Sequence, residues 1–91
     1  MWRRETHWVY VLRSSKDGRL YTGVSSDLSR RLREHNGGKV RSTRSRRRLT
    51  LEYSEASESR HDALEREAYF KTAAGGVLKQ RLAGPKRESA S

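Results

Sequence analysis

Residues 8–35 read WVYVLRSSKDGRLYTGVSSDLSRRLREH, and the fold can be built outward from this stretch. His7 to Leu12 alternates, with Trp8, Tyr10 and Leu12 on one face and Val9 and Val11 on the other. That is the pattern of a strand rich in aromatic and β-branched residues. Leu20 to Val24 reads as a second short strand. Ser15-Lys16-Asp17-Gly18 between them predicts a hairpin loop, with Gly18 supplying the positive φ such loops need. A four-residue loop sets Ser14 opposite Arg19, Leu12 opposite Tyr21 and Tyr10 opposite Gly23. Tyr10 and Tyr21 then lie diagonally on one sheet face, within reach of one another. Gly23 leaves space beside the Tyr10 phenol for a backbone or a ligand.

A helix follows. Asp27 is its N-cap, Asn36 lies near its end, and Gly37-Gly38 stop it. On a helical wheel Leu28, Leu32 and His35 form the buried stripe, while Arg30, Arg33 and Glu34 face away. Arg31 falls at the margin of the stripe, where a guanidinium either snorkels to water or is aimed at something. Lys39 to Arg48 holds six basic residues in ten without an apolar period, which predicts a mobile, phosphate-contacting loop. Leu49, Leu51 and Tyr53 alternate onto one side of a third strand.

Ser59, with Asp62 three residues later, opens a second helix. Its apolar face carries Ala63 and Phe70, with Glu67 among them, whereas Asp62, Glu65 and Arg66 point the other way. An uncompensated carboxylate on an apolar face is costly, so Glu67 needs a cation, a hydrogen-bond network or a raised pKa. A salt bridge to Arg31 or another neighbour is the alternative to metal binding. Gly75-Gly76 interrupts, and Val77, Leu78, Arg81 and Leu82 suggest a last short helix ended by Gly84-Pro85. The reading gives a single domain over 1–83 and a disordered tail over 84–91.

Composition bounds what such a domain can do. The 91 residues suffice for one domain with a small core. The absence of cysteine excludes disulfide staples and thiolate zinc sites. No apolar run approaches the roughly 18 residues of a membrane span, so a soluble cytoplasmic protein is expected, with no membrane partner. Leu, Ile, Val and Phe make only 15 of the 91 residues, in the range associated with disorder at high net charge. Periodic patterning nevertheless supports a folded chain. The formal charge is +10, and residues 28–48 alone carry +8. A basic block so concentrated points to a polyanion, nucleic acid first, with Lys39, Arg41, Arg44, Arg46, Arg47 and Arg48 as the phosphate contacts. The bland alternative is a solvated basic segment.

Together these residues resemble the GIY-YIG nuclease superfamily, in particular its small stand-alone bacterial proteins. Trp8-Val9-Tyr10 stands where the first tripeptide would be, and Tyr21-Thr22-Gly23 matches the second. Arg31-Leu32-Arg33-Glu34-His35 matches the helix carrying the family Arg and the following His or Tyr. Glu67-Ala68-Tyr69-Phe70-Lys71 looks like the segment bearing the metal-binding Glu. The likeness covers roughly residues 7 to 82. Trp8 replaces the family Gly and Thr22 replaces Ile, and Arg46-Arg47-Arg48 comes where small relatives often have a proline.

The resemblance implies an α/β (α+β) domain, a small three-stranded antiparallel sheet flanked by helices in the order β-β-α-β-α-α. It also implies a divalent-metal-dependent endonuclease acting on DNA, structure-selective in repair or recombination. Tyr10, Tyr21, Arg31, His35 and Glu67 are then the catalytic set. Glu67 would be the ligand of one Mg²⁺ or Mn²⁺ ion, with waters and phosphate oxygens completing its shell. Arg31 would stabilise charge on the phosphoryl oxygens. Either tyrosine could serve as the base, favoured as phenolate by nearby cations. His35 would bond the phosphate or shuttle a proton. His7 and His61 do not fit the set and read as surface residues. Two other readings stand beside this one: a non-catalytic nucleic-acid-binding module on the same fold, and a basic accessory protein docking on an acidic protein or RNA-rich assembly. The DNA would be branched or single-stranded, or reached through a protein partner.

Overall fold

The computed structural model describes residues 6–85, so most of the expected tail lies outside the described residues. The elements are β1 (His7–Ser14), β2 (Leu20–Ser25), α1 (Leu28–Asn36), β3 (Leu49–Ser57), α2 (Arg60–Phe70) and α3 (Ala73–Ala83). This is the order that periodicity predicts. The three strands form one antiparallel sheet with β1 in the centre, in the order β2-β1-β3. Val9, Tyr10, Val11 and Leu12 are all buried, so the central strand is covered on both faces.

The two faces hold separate apolar clusters. Val9 packs with Ala63 and Phe70, flanked by Val24, Tyr53, Leu78 and Leu82, which seats α2 and α3 on one side. Tyr10, Leu12 and Leu49 pack with Tyr21, Leu28 and Leu32, which seats α1 on the other. A chain with so few large aliphatics therefore spends them on two thin layers around one strand. Alternation along β1 is what sorts them between the layers.

The hairpin has the expected register. Tyr10 pairs with Gly23 and Leu12 with Tyr21, and Ser14 N donates to Arg19 O at 2.9 Å. Gly18 closes the turn at φ 73°. Asp27 caps α1 by accepting from Arg30 N at 3.0 Å.

The third strand departs from expectation. It runs on to Ser57, and its alternation is broken by a bulge: Val11 pairs with Tyr53 while Leu12 pairs with Leu51, leaving Glu52 extra. The bulge inverts the parity, so Leu49 joins the α1 layer and Tyr53 the α2–α3 layer instead of sharing a face. Glu52 is turned inward, its side chain 2% exposed, and Arg13 Nε donates to it at 3.0 Å. The same guanidinium donates to Gly18 O at 3.0 Å and to Gly84 O at 2.8 Å. One half-buried arginine thus compensates a buried carboxylate and ties together the hairpin turn, the bulge and the end of α3.

The basic segment before β3 is not the free loop that its composition suggests. It contains a single 3₁₀ turn, Arg44–Arg46. Ser14 Oγ donates to Arg46 O at 2.7 Å, Ser15 N to Arg48 O at 2.8 Å, and Lys16 Nζ to Ser45 O at 3.2 Å. The side chain of Asn36 exchanges two hydrogen bonds with the backbone of Leu49. The segment's backbone and the buried Thr43 anchor it, leaving most of its long cationic side chains in water.

Gly75 and Gly76 also differ from expectation, lying within the first turns of α3 instead of interrupting the chain. Thr72 caps that helix, accepting from Gly75 N at 3.0 Å. Gly75 is buried, and a Cβ there would overlap the carbonyl of Tyr69, so the α2–α3 corner closes only around a glycine. A Cβ on Gly76 would meet its nearest neighbour, Phe70 O, at an ordinary 3.9 Å. The two glycines should therefore respond in opposite directions. In urea denaturation, Gly75→Ala is expected to lose about 1–3 kcal/mol through overpacking, while Gly76→Ala gains up to about 1 kcal/mol from helix propensity.

Candidate active site

The residues singled out on chemical grounds come together at the β2 edge of the sheet. A cleft of about 370 Å³ is lined by Tyr10, Tyr21, Gly23, Arg31 and Glu67, among others. The α2 side of the cleft is a stripe of that helix, Arg60, Leu64 and Glu67, at the i, i+4, i+7 spacing of one helical face. A larger open groove of about 1060 Å³ runs between the β1–β2 turn and α3. It contains none of this set, and the Arg13 guanidinium on its wall is already committed.

Tyr10 is the pivot. Its side chain is 2% exposed and lies across Gly23, its partner in the ladder. A Cβ on Gly23 would overlap the phenol oxygen and the adjoining ring carbon. The space that the sequence left open beside the phenol is thus filled by the phenol itself. The glycine of the Tyr-x-Gly pattern, Gly23, is what lets the ring lie flat across the edge strand and reach the cleft.

Two groups hold the phenol oxygen. His35 Nε2 shares a hydrogen bond with it at 3.0 Å, and Arg31 Nε donates to it at 3.3 Å. Tyr21 flanks the same imidazole edge-on, with ring centroids 5.1 Å apart, matching the edge contact between Tyr10 and His35 at 5.8 Å. Arg31 is therefore aimed into the site and does not simply snorkel outward. Its Nη1 pairs with Glu34 at 3.0 Å, which fixes the guanidinium from behind.

Burial dominates the electrostatics. It pushes the Tyr10 phenol above its ordinary value, outweighing the hydrogen bond and charge of Arg31, which pull it down. At neutral pH Tyr10 keeps its proton, contrary to the simple expectation that a neighbouring cation makes it phenolate. Burial first, and the Arg31 charge second, lower His35 to about 4, so its ring is neutral. His35 is fully buried, with Nδ1 engaged by Thr43 Oγ1 at 2.7 Å. With both ring nitrogens committed, it stands behind Tyr10 instead of facing the cleft, which removes the phosphate-bonding role offered for it.

Glu67 presents its carboxylate to the cleft, 21% exposed. The ion pair of Glu67 is not with Arg31 but with another neighbour, Lys71 at the C-cap of α2, at a loose 3.7 Å. No group of three His, Cys, Asp or Glu side chains able to enclose a metal occurs among the described residues. A single carboxylate in an open polar cleft fits a hard divalent ion that keeps most of its waters and takes substrate oxygens as ligands. It does not fit a closed protein-only cage.

Sequence reasoning missed three residues here. His7 was read as a surface residue, but it is half-buried, lines the cleft, and has a buried Nδ1 with no hydrogen-bond partner. It shares strand parity with Val9 and Val11, a signal that pointed inward. Arg60, at the start of α2, adds a second guanidinium to the cleft. Thr43 is fully buried although it sits in the most basic segment. His61 is a surface residue as expected, paired with Glu65. Of the loop cations, Lys39, Arg41, Arg44, Arg47 and Arg48 are exposed and Arg46 is half-buried.

Comparison with known proteins places this geometry. The family model described as the GIY-YIG catalytic domain matches residues 6–76. A UPF0213 protein of Streptococcus agalactiae is 49% identical over 65 residues, 70% of this chain and 73% of the relative. A UPF0213 protein of Bacillus pumilus is 41% identical over 70 residues, 76% of this chain and 70% of the relative. The solution NMR structure of a UPF0213 protein from Bacillus halodurans superposes with a TM-score of 0.54 at 32% identity, covering 88% of each chain.

The neutral, buried His35 has a measurable consequence. Its folded pKa lies below the unfolded value of about 6.5, so protons bind the unfolded chain preferentially between the two. Its contribution is therefore intact above pH 7 and is lost as pH falls toward 4. Urea unfolding is expected to show a loss of about 2 kcal/mol from this group between pH 7 and pH 5. His35→Gln should flatten that part of the profile.

Proposed function

Because the chain belongs to the GIY-YIG catalytic-domain family, we propose that the Tyr10–Glu67 cleft hydrolyses DNA phosphodiester bonds with the help of one divalent ion. The observation that carries this reading is the convergence of a phenol, a guanidinium and a carboxylate in one cleft, with a neutral imidazole on the buried side of the phenol. Glu67 would hold Mg²⁺ or Mn²⁺, which when bound supplies Lewis-acid polarisation of the phosphate and relief of charge on the departing oxygen.

The chain's own residues supply the rest. Arg31, fixed by Glu34, directs its free donors at the non-bridging oxygens, where negative charge grows. Tyr10 accepts a proton from the attacking water as its own proton moves to His35 Nε2, so the phenol acts as base without first standing as a phenolate. The hydroxide oxygen bonds to phosphorus, the bond to the 3′ oxygen breaks, and that oxygen takes a proton from solvent. His35 returns its proton through Tyr10 afterwards. Burial of the imidazole makes its protonated state costly, which favours prompt return. Tyr21 shields the ring and lines the cleft beside the water. Arg60 extends the cationic wall along α2 toward a neighbouring phosphate.

The exposed cations of segment 39–48 provide contacts to the nucleic-acid backbone that are indifferent to sequence. Selection of branched or single-stranded DNA, a repair role and targeting by a protein partner belong to this proposal. That segment also favours a second reading, in which the fold binds nucleic acid without cleaving it.

Cleavage of supercoiled plasmid, duplex, flap and single-stranded DNA, in Mg²⁺, Mn²⁺ or EDTA, separates the two. Metal-dependent cleavage is expected, abolished in Glu67→Ala and reduced at least about 100-fold in Tyr10→Phe, with binding retained. Binding without cleavage on every substrate would overturn the catalytic reading. In either case, replacing Arg44, Arg47 and Arg48 with Gln should weaken binding and reduce the slope of log K against log salt by roughly 2 to 3.

A further inference from the structure

The chain of hydrogen bonds from Tyr10 does not stop at His35. Imidazole Nδ1 lies 2.7 Å from Thr43 Oγ1, and that hydroxyl lies 3.5 Å from the carbonyl of Val40. Thr43 is 0% exposed, and its backbone N also donates to Val40 O at 3.2 Å. Arg31 Nε can only donate, so it occupies one acceptor position on the Tyr10 oxygen. The phenol proton can then be directed to His35 Nε2 if that nitrogen carries the lone pair. Such an arrangement puts the imidazole proton on Nδ1, aimed at Thr43 Oγ1, and the threonine proton toward Val40 O.

We propose that Thr43 is a positioning residue which holds His35 in the Nδ1–H tautomer, so that Nε2 is free to take the Tyr10 proton. The inference rests on the catalytic reading above, but the tautomer itself can be measured without any activity. In the opposite arrangement Nε2–H donates to Tyr10 and the Thr43 hydroxyl donates to Nδ1. His35 would then have no site for the Tyr10 proton, and the relay could not run. The local logic is that of a base oriented by a third group.

The placement has a further meaning. Thr43 belongs to the same short segment as Arg41, Arg44, Arg46, Arg47 and Arg48, one residue before the 3₁₀ turn. Its backbone carbonyl accepts from Arg46 N at 2.9 Å. The cationic surface that would meet the phosphates and the group that sets the catalytic tautomer are therefore one piece of backbone. A nucleic acid seated on the loop would therefore contact the same backbone that carries Thr43, which is bonded to His35 and through it to Tyr10.

The test uses the whole chain with ¹⁵N-labelled histidine at pH 7. Long-range ¹H–¹⁵N spectra should show wild-type His35 protonated at Nδ1 and unprotonated at Nε2. Thr43→Val, close to isosteric, removes the acceptor and should move the ring toward Nε2–H. Thr43→Ser should keep the wild-type spectrum. In the cleavage assay Thr43→Val should lower kcat by about 10- to 100-fold, by analogy with the loss of an outer-shell partner that orients a metal-ligating histidine. KM should stay within about twofold, and Thr43→Ser should restore kcat. A wild-type ring found as Nε2–H overturns the proposal, as does a Thr43→Val protein with unchanged tautomer or unchanged kcat. A wild type that cleaves nothing overturns the nuclease reading instead, and the spectra alone then decide whether Thr43 sets the tautomer.

Discussion

The position of one phenol oxygen constrains most of this structure. Tyr10 sits on the central strand, faces α1, and lies across a glycine of the edge strand. His35 and Arg31 reach it from adjacent turns of α1, four residues apart. For those contacts to form, the hairpin must keep its register, α1 must start where Asp27 caps it, and Gly23 must lack a side chain. A slip of one residue in β1 would send Tyr10 to the α2 face and bring Val9 or Val11 under α1. The stability of the fold and the geometry of the site are thus specified by the same alternation.

That shared specification explains why so much was legible. Period-two alternation in His7–Leu12 and the Gly18 turn fix the relation of Tyr10 to Tyr21. Helical spacing fixes that of Arg31 to His35, and the cap at Ser59 sets the phase of Glu67 on α2. Each is a local rule expressed within one element or one turn. What escaped depends on contacts between elements. The bulge at Glu52 answers the guanidinium of Arg13, thirty-nine residues earlier, and nothing in the alternation of Leu49–Tyr53 announces it. Gly75 looked like a helix breaker because the carbonyl of Tyr69 that forbids a Cβ is visible only once α2 and α3 meet. Thr43 had no period to reveal it, since it is buried by a ring from another element.

Charge and burial divide the labour in the basic segment. Its arginines and lysine are mostly exposed, as expected of side chains whose solvation is costly to remove. Its backbone and the Thr43 hydroxyl face inward, bonded to Ser14, Ser15 and His35. The segment therefore presents a cationic surface without being an independent flexible arm. A surface anchored in this way loses less conformational freedom when it meets a polyanion than a disordered tail of equal charge.

The triple contact of Arg13 has a consequence for how the molecule comes into being. Its guanidinium reaches the carbonyl of Gly84, seventy-one residues further along the chain. The central strand must also wait for β3 before its second edge is paired, and for α2 before Glu67 arrives beside Tyr10. Contacts of such long sequence separation cannot form while the later segments are still being synthesised. On an emerging chain, the β1–β2 hairpin and α1 could assemble the two tyrosines, the arginine and the histidine first, and the carboxylate joins them only once α2 has followed. The cleft's carboxylate and the structural latch at Gly84 therefore arrive after its other groups, in the order in which α2 and α3 follow the hairpin along the chain.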